Sequence, residues 1–484
     1  MANLNLTLTR LKNSALTLLM TIPLATYAFA EEKLNGNNPL SFGQAIKIAQ
    51  KNDPWLVGNH HKQQVLESMS SAVNTWADPQ VSVALANLPV NGFDFTQEGM
   101  TQVKVGIAQM FPRGDSLAIK SQQLKIESEA FPFQRKNRQA TVAVTVGSLW
   151  LDAYRIQQSI ALIEKNRSLF EQLVDVAQVS YSSALGKSRQ QDVVRAQLEL
   201  TRLEDRLSLL AQQSSRYVGM MSSWLSDTSN DDNAQASLTP HYYEKTFELE
   251  EKLPEIELLN VNLASNEHWL TPNELVHYFT SHPSVVAVDK KINATKTGIK
   301  LAGEKYQPQW GVNASYGYRA DTDMGSSRAD LFSVGVTFDL PLFTENKQDK
   351  ELQAAISETE AVKTEKTLLI RQLLSGYASA KGRLLRLEER QKLYQEKLLP
   401  KVHSHVQATL SAYTNDDGEF SEVVRARISL LNSEIDLLTL AVEEQKIRLE
   451  LNYLFIGEIK ITNAEQNLYQ SNRKQTAAIT GEQE

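Results

Sequence analysis

The chain has 484 residues, of which 22% are charged and 7% aromatic, and a net charge of −7. That balance gives no expectation of a nucleic-acid partner. There is no cysteine, which excludes disulfides, thiolate metal sites, thiol catalysis and a lipid attached to an N-terminal Cys.

In chain order, Arg10 and Lys12 precede an apolar stretch, Leu16 to Ala25, that is too short to span a bilayer comfortably. Ala28-Phe29-Ala30 then offers an A-x-A cleavage site before Glu31, so residues 1–30 read as a signal peptide. No later segment approaches the roughly 20 apolar residues of a membrane helix. An exported chain of this kind is expected to be soluble or to insert as a β-barrel.

The first half, 31–225, opens with a helix over Leu40 to Trp76, with Ser41 as its N-cap and Pro54 as a break or kink. Pro79 begins a strand, VSVALAN, and a turn-rich link, LPVNGFD, leads to a second strand over 102–111. Arg113-Gly114-Asp115 ends it, and helix is expected to about residue 181. Val142, Val146, Leu149, Ala153, Ile156, Ile160 and Ile163 run at alternating steps of four and three, a coiled-coil seam. Pro132 is expected to split this helix into two stacked pieces. Some 65 helical residues reach roughly 100 Å at 1.5 Å each, more than a globule needs. Residues 226–269 are acidic and poorly periodic, and read as a linker across the outside of the helices.

The second half, 270–461, repeats the first. Pro54 and Pro283, Pro79-Gln80 and Pro308-Gln309, Val105-Gly106 and Val334-Gly335, and Pro112 and Pro341 all lie 229 apart. Asp192-Val193-Val194-Arg195-Ala196 and Glu422-Val423-Val424-Arg425-Ala426 lie 230 apart. The period is far longer than a solenoid repeat, so one structural half is made twice. Its strands read WGVNASYGYR and FSVGVTFDLP, joined by a polar hairpin loop. Phe332, Val334, Val336, Phe338 and Leu340 alternate with Ser333, Gly335, Thr337 and Asp339, the period of a strand with one oily face. Val424, Ile428, Leu431, Ile435, Leu438 and Val442 resume the helical seam. Residues 462–484 are polar without apolar period and read as disordered.

Four strands of about ten residues are therefore expected, with Lys104, Arg319 and Asp339 on the small, polar row. A soluble sheet packed on helices gives the same alternation. In a membrane, however, four strands cannot close a barrel and an open edge cannot face lipid. Several copies would have to share one barrel, and three supply twelve strands.

These residues resemble the TolC-type outer-membrane efflux ducts. LSFGQAIKIAQKNDP is similar to the family's opening helix, ALGKSRQQDVVRAQLEL to its first inter-helix tip and GEFSEVVRARISL to its second. NLPVNGFDFTQEGMTQVKVGIAQMFPRGD is similar to the heavy-metal CusC/CzcC-like subgroup. The resemblance implies an α+β membrane protein: a homotrimer with a twelve-stranded outer-membrane barrel and a long α-helical coiled-coil periplasmic tunnel. It also implies a periplasmic adaptor protein, an inner-membrane RND-type transporter, outer-membrane lipid around the barrel, and a passive conduit rather than an enzyme. Heavy-metal cations are the expected cargo. Drug or small-molecule export and type I secretion are the alternatives, with a soluble periplasmic coiled-coil adaptor behind them. By the same likeness Asp192, Arg195, Glu422 and Arg425 are candidate periplasmic gate residues. Gly186, Lys187, Asp416, Asp417 and Gly418 are candidate adaptor-docking tips. Gly186 and Gly418 are expected to supply positive φ in helix-to-helix turns.

No enzyme site emerges. His60-His61 and the pair His403 and His405 read as solvated helix residues, since neighbours one or two apart do not share a helix face. There is no Walker loop, no G-x-S-x-G elbow and no HExxH. No cofactor is expected.

Overall fold

A computed structural model describes residues 39–182, 189–226, 248–259 and 269–456, without 323 and 416. The expected signal peptide, the C-terminal tail, Gly186, Lys187, Asp416 and most of 226–269 lie outside the described residues.

The opening helix is two helices, α1 (Phe42–Lys51) and α2 (Pro54–Val73). Ser41 caps α1 in a capping box, with Gln44 N–H donating to Ser41 Oγ and Ser41 N–H to Gln44 Oε1, both at 3.3 Å. Asp53 caps α2, and Pro54 takes its first position, where a missing N–H costs nothing. Strands β1 (Gln80–Ala86) and β2 (Gln102–Met110) follow, then α3 (Ser116–Ser128), α4 (Phe131–Ser182) and α5 (Gln190–Leu225). The long helix does break, at Glu129 and Ala130, leaving Pro132 in the first turn of α4. There its ring needs no preceding turn of helix.

The second half has the same order: α6 (Pro272–Thr280), α7 (Pro283–Glu304), β3 (Trp310–Tyr318), β4 (Leu331–Phe338) and α8 (Gln348–Leu393). A π-helical turn over Tyr394–Leu398 leads into α9 (Leu399–Thr414), and α10 (Phe420–Leu454) completes the chain. The π turn has no counterpart in α4. Its cause is Pro400, which has no N–H to donate; just before it, Leu399 N–H reaches back five residues to the Tyr394 carbonyl.

The seams pack as the heptads require. Ile156, Ile163 and Phe170 of α4 share a core with Ala196 and Leu203 of α5 and Phe420, Val424, Leu431 and Ile435 of α10. A second core surrounds Trp150, whose indole N–H donates to the Leu40 carbonyl at 3.0 Å. A third joins Phe279, Tyr377 and Phe455. Residues 248–259 form a strap across α4 and α10. Leu249 bridges Leu40 in parallel, and Tyr154, Gln445, Arg448 and Asn452 hydrogen-bond strap backbone atoms.

Candidate conduit surfaces

The four strands make one antiparallel sheet in the order β1-β2-β3-β4. They run seven, nine, nine and eight residues, shorter than the ten expected. Register aligns the oily positions into rows: Val83–Val105–Tyr316–Phe332, Val81–Ile107–Ala314–Val334, and Val312–Val336. Among the described residues nothing covers this face, and Val81 is 70% and Val334 64% exposed. Trp310 and Phe338 pair at 4.9 Å at the end nearest the helices, and Trp76 meets Phe111 edge-on at 5.4 Å. Tyr316, Tyr318 and Phe332 stand at the other end, so aromatics bound an aliphatic middle. The opposite face carries Ser82–Gly106–Ser315–Ser333 and Ala108–Asn313–Gly335. It too is open: among the described residues the only buried ones in strands are Gly106, Gly311 and Gly317. A soluble sheet packed on helices would have buried the oily row. This one buries neither face, and β1 and β4 each pair on one side only.

The three charges expected on the polar row fare differently. Lys104 stands exposed between Ala84 and Gly317, with no ion pair among the described residues. Arg319 instead closes the outer loops: its guanidinium donates to the Ala329 carbonyl (Nε, 2.8 Å) and the Gly99 carbonyl (Nη1, 3.1 Å). Arg328 reaches the Thr96 carbonyl at 3.3 Å, so the second hairpin's loop holds the first's. Within that first loop, hydrogen bonds from the Thr96 N–H and hydroxyl hold the Asp94 carboxyl below its usual range. Asp339 pairs with Arg113 and accepts from Gln309 N–H at 2.7 Å, buckling the base of both hairpins. Arg113 also donates to the Gln307 carbonyl at 2.9 Å. Beside it Gly114 has φ +44, and the Glu304 carboxylate occupies the place of a Cβ while accepting from Asp115 N–H at 3.1 Å. Only glycine fits there.

At the far ends of the helices the four gate candidates sit near the first turns of α5 and α10. Asp192 accepts from Arg189 N–H at 2.9 Å and so caps its own helix. Arg195 is exposed without an ion pair among the described residues. Glu422 and Arg425 pair at 3.0 Å, one turn apart. The two halves thus use equivalent acids differently. Gly418 does not adopt positive φ; a Cβ there would meet the Tyr413 N at 2.8 Å and the Ala412 carbonyl carbon at 2.9 Å. Close approach, not handedness, demands glycine at this tip. Asp417 N–H donates to the Ala412 carbonyl at 2.9 Å, and Tyr413 meets Phe420 edge-on across the turn.

Residues 279–454 match a family described as outer membrane efflux protein. No curated protein is matched by sequence. Among solved structures, the outer-membrane channel CmeC of Campylobacter jejuni aligns with a TM-score of 0.67 at 11% identity, over 93% of this chain and 97% of its own. The outer membrane protein VceC of Vibrio cholerae aligns at 0.65 and 13%, over 86% and 96%. CusC, a transmembrane channel, aligns at 0.65 and 12%, over 86% and 91%. The chain shares the fold of these three structures.

Among the described residues of the helices, sequence reasoning missed two clusters of charge that join one helix to another. Lys446 of α10 contacts Asp152 of α4 at 3.2 Å and Glu443 at 3.1 Å; burial lowers its pKa, the two carboxylates outweigh it, and the net shift is upward. Glu388 is pushed up by burial and by Glu444, against Arg448 and Lys381. The pairs Glu443–Lys446 and Glu444–Arg448 are local to α10, but the partners on α4 and α8 that complete each cluster leave no sequence signature. Among the described residues no helix is long and apolar enough to cross a membrane, and no three His, Cys, Asp or Glu side chains converge as metal ligands.

Proposed function

We propose that three copies of this chain form a passive exit duct of a tripartite efflux system in the outer membrane of a Gram-negative bacterium. The observation that carries this reading is the sheet: an uncovered oily face bounded by aromatics, with two unpaired edges. Lipid suits such a face, but it cannot tolerate the edges. Pairing edges around a threefold axis gives twelve strands and removes them. The helices support the same closure. Val424 is buried against α4, whereas its repeat partner Val194 on α5 is 55% exposed and awaits an equivalent surface.

The helical part then forms the periplasmic tunnel, with its lower tips on a periplasmic adaptor and an inner-membrane RND-type transporter that supplies the energy. Asp417 and Gly418 belong to that docking end. The chain is a conduit, not an enzyme. Heavy-metal cations are the proposed cargo; the support is the likeness of the first hairpin to the metal-export subgroup. CusC and VceC align equally well, so the fold does not select among cargoes. The decisive experiment is fractionation with reconstitution. The mature protein is expected to pellet with the outer membrane, run as a trimer before heating, and open conducting pores in planar bilayers. Complete release by osmotic shock as a monomer overturns the reading.

Threefold symmetry would turn Asp192, Arg195, Glu422 and Arg425 into rings of charge near the tunnel mouth, a common means of gating ions. Charge reversal at both Glu422 and Arg425 is expected to change single-channel conductance and cation block. Unchanged values remove both from the gate.

A further inference from the structure

The chain already displays how one half joins the next, at the β2–β3 pairing. We propose that two copies join by the same rule at β4 and β1, with Phe338 opposite Val83 of a second copy and Leu340 opposite its Val81. The proposal rests on the shared barrel above and adds its register.

Across the internal seam, Gln109 lies opposite Val312 and Ile107 opposite Ala314, and Phe111 N–H donates to the Trp310 carbonyl at 2.7 Å. The 229-residue shift that relates the halves carries β2 onto β4 and β3 onto β1. Gln109 and Val312 become Phe338 and Val83; Ile107 and Ala314 become Val336 and Leu85; Phe111 and Trp310 become Leu340 and Val81. Every resulting pair lies on the oily face, as directly opposed antiparallel residues must share a face. A slip of one residue would set oily positions against polar ones.

A second observation lies just beyond the strands. Arg113, leaving β2, holds the Gln307 carbonyl. The same shift replaces them with Leu342 and Asp78. Leu342 is 72% and Phe343 91% exposed, with nothing among the described residues of their own chain to cover them, and Trp76, two residues before Asp78, is 64% exposed. The polar clasp of the internal seam becomes an apolar one between copies, with Leu342 and Phe343 against the Trp76 end of β1.

The absence of cysteine makes the test clean. Directly opposed residues lie about 4.5–5.5 Å apart at Cα, within disulfide reach. In one chain β1 and β4 are three strand spacings apart, about 14 Å, beyond it. The full mature chain carrying F338C with V83C is oxidised in outer membranes. Covalent trimers are expected about tenfold faster than for F338C with V81C or with L85C, whose partners sit one pair out of register. L340C with V81C tests the same register independently if the first pair fails to assemble. Faster crosslinking of either neighbouring register overturns the proposal. So does a native trimer in which none of these pairs crosslinks. Loss of the trimer in the cysteine-free parent would instead refute the shared barrel itself.

Discussion

Two corners of the molecule occupy equivalent places in the repeat and hold themselves by different chemistry. Asp53 and His282 each precede a proline that begins a helix, and each caps that helix. Asp53 is buried and ionically paired: Arg138 donates to its carboxylate at 2.7 and 3.3 Å, with the guanidinium between Trp55 and Trp224. His282 is fully buried and neutral. Its Nδ1 accepts from Ser284 N–H at 3.3 Å, and its Nε2–H donates to the Tyr453 carbonyl at 3.1 Å. Burial holds its pKa below the usual 6.5, against the pull of that carbonyl. Duplication therefore kept a geometry, a capped corner with proline at N1, and left its electrostatics free to diverge.

The largest test breaks the first corner alone. R138A leaves the Asp53 carboxylate buried without its partner, and is expected to cost about 3 kcal/mol, the lower end for broken buried pairs because Arg138 is partly exposed. Urea unfolding in detergent measures it; a loss below about 1 kcal/mol would mean the pair acts as a surface bridge. Acid breaks the second corner alone. The unfolded chain binds the His282 proton more readily than the fold does, so this contribution is complete above pH 6.5 and declines as pH falls through the lower folded value. The slope is at most about 1.4 kcal/mol per pH unit for one proton. Hydrogen exchange across 279–285 and 450–456 should quicken between pH 7 and 5, after correction for intrinsic rates, and H282N should flatten that dependence. An identical profile in H282N assigns the effect elsewhere. The smallest effect sharpens what the corners share: P54A and P283A should each cost only about 0.5–1 kcal/mol, and unequal losses would show that the two turns differ in backbone as well as chemistry.

Much of this architecture was legible in the residues. Period-two stretches gave four strands, the heptads gave the paired helices, and Pro54 and Pro132 marked breaks, because each signal is local. What was not legible depends on partners distant in the chain. Arg319 and Asp339 read only as charges on the polar row, yet one closes the outer loops and the other buckles the strand bases to Arg113. Gly418 read as a left-handed turn residue, but the crowding by Ala412 and Tyr413 that fixes it arises only once the helices are antiparallel. The π turn had a visible cue in Pro400, though nothing local distinguishes a widened turn from a kink. Asp192 and Glu422 sit at equivalent places, and only the structure separates a helix cap from an ion pair.

The strap over 248–259 is gripped chiefly through its main chain, by side chains from α4 and α10. Such a hoop tolerates spelling changes along most of its length, provided the buried Leu249 and Ile256 remain as pegs. It binds helices from both halves together while leaving little in its own letters to mark the task.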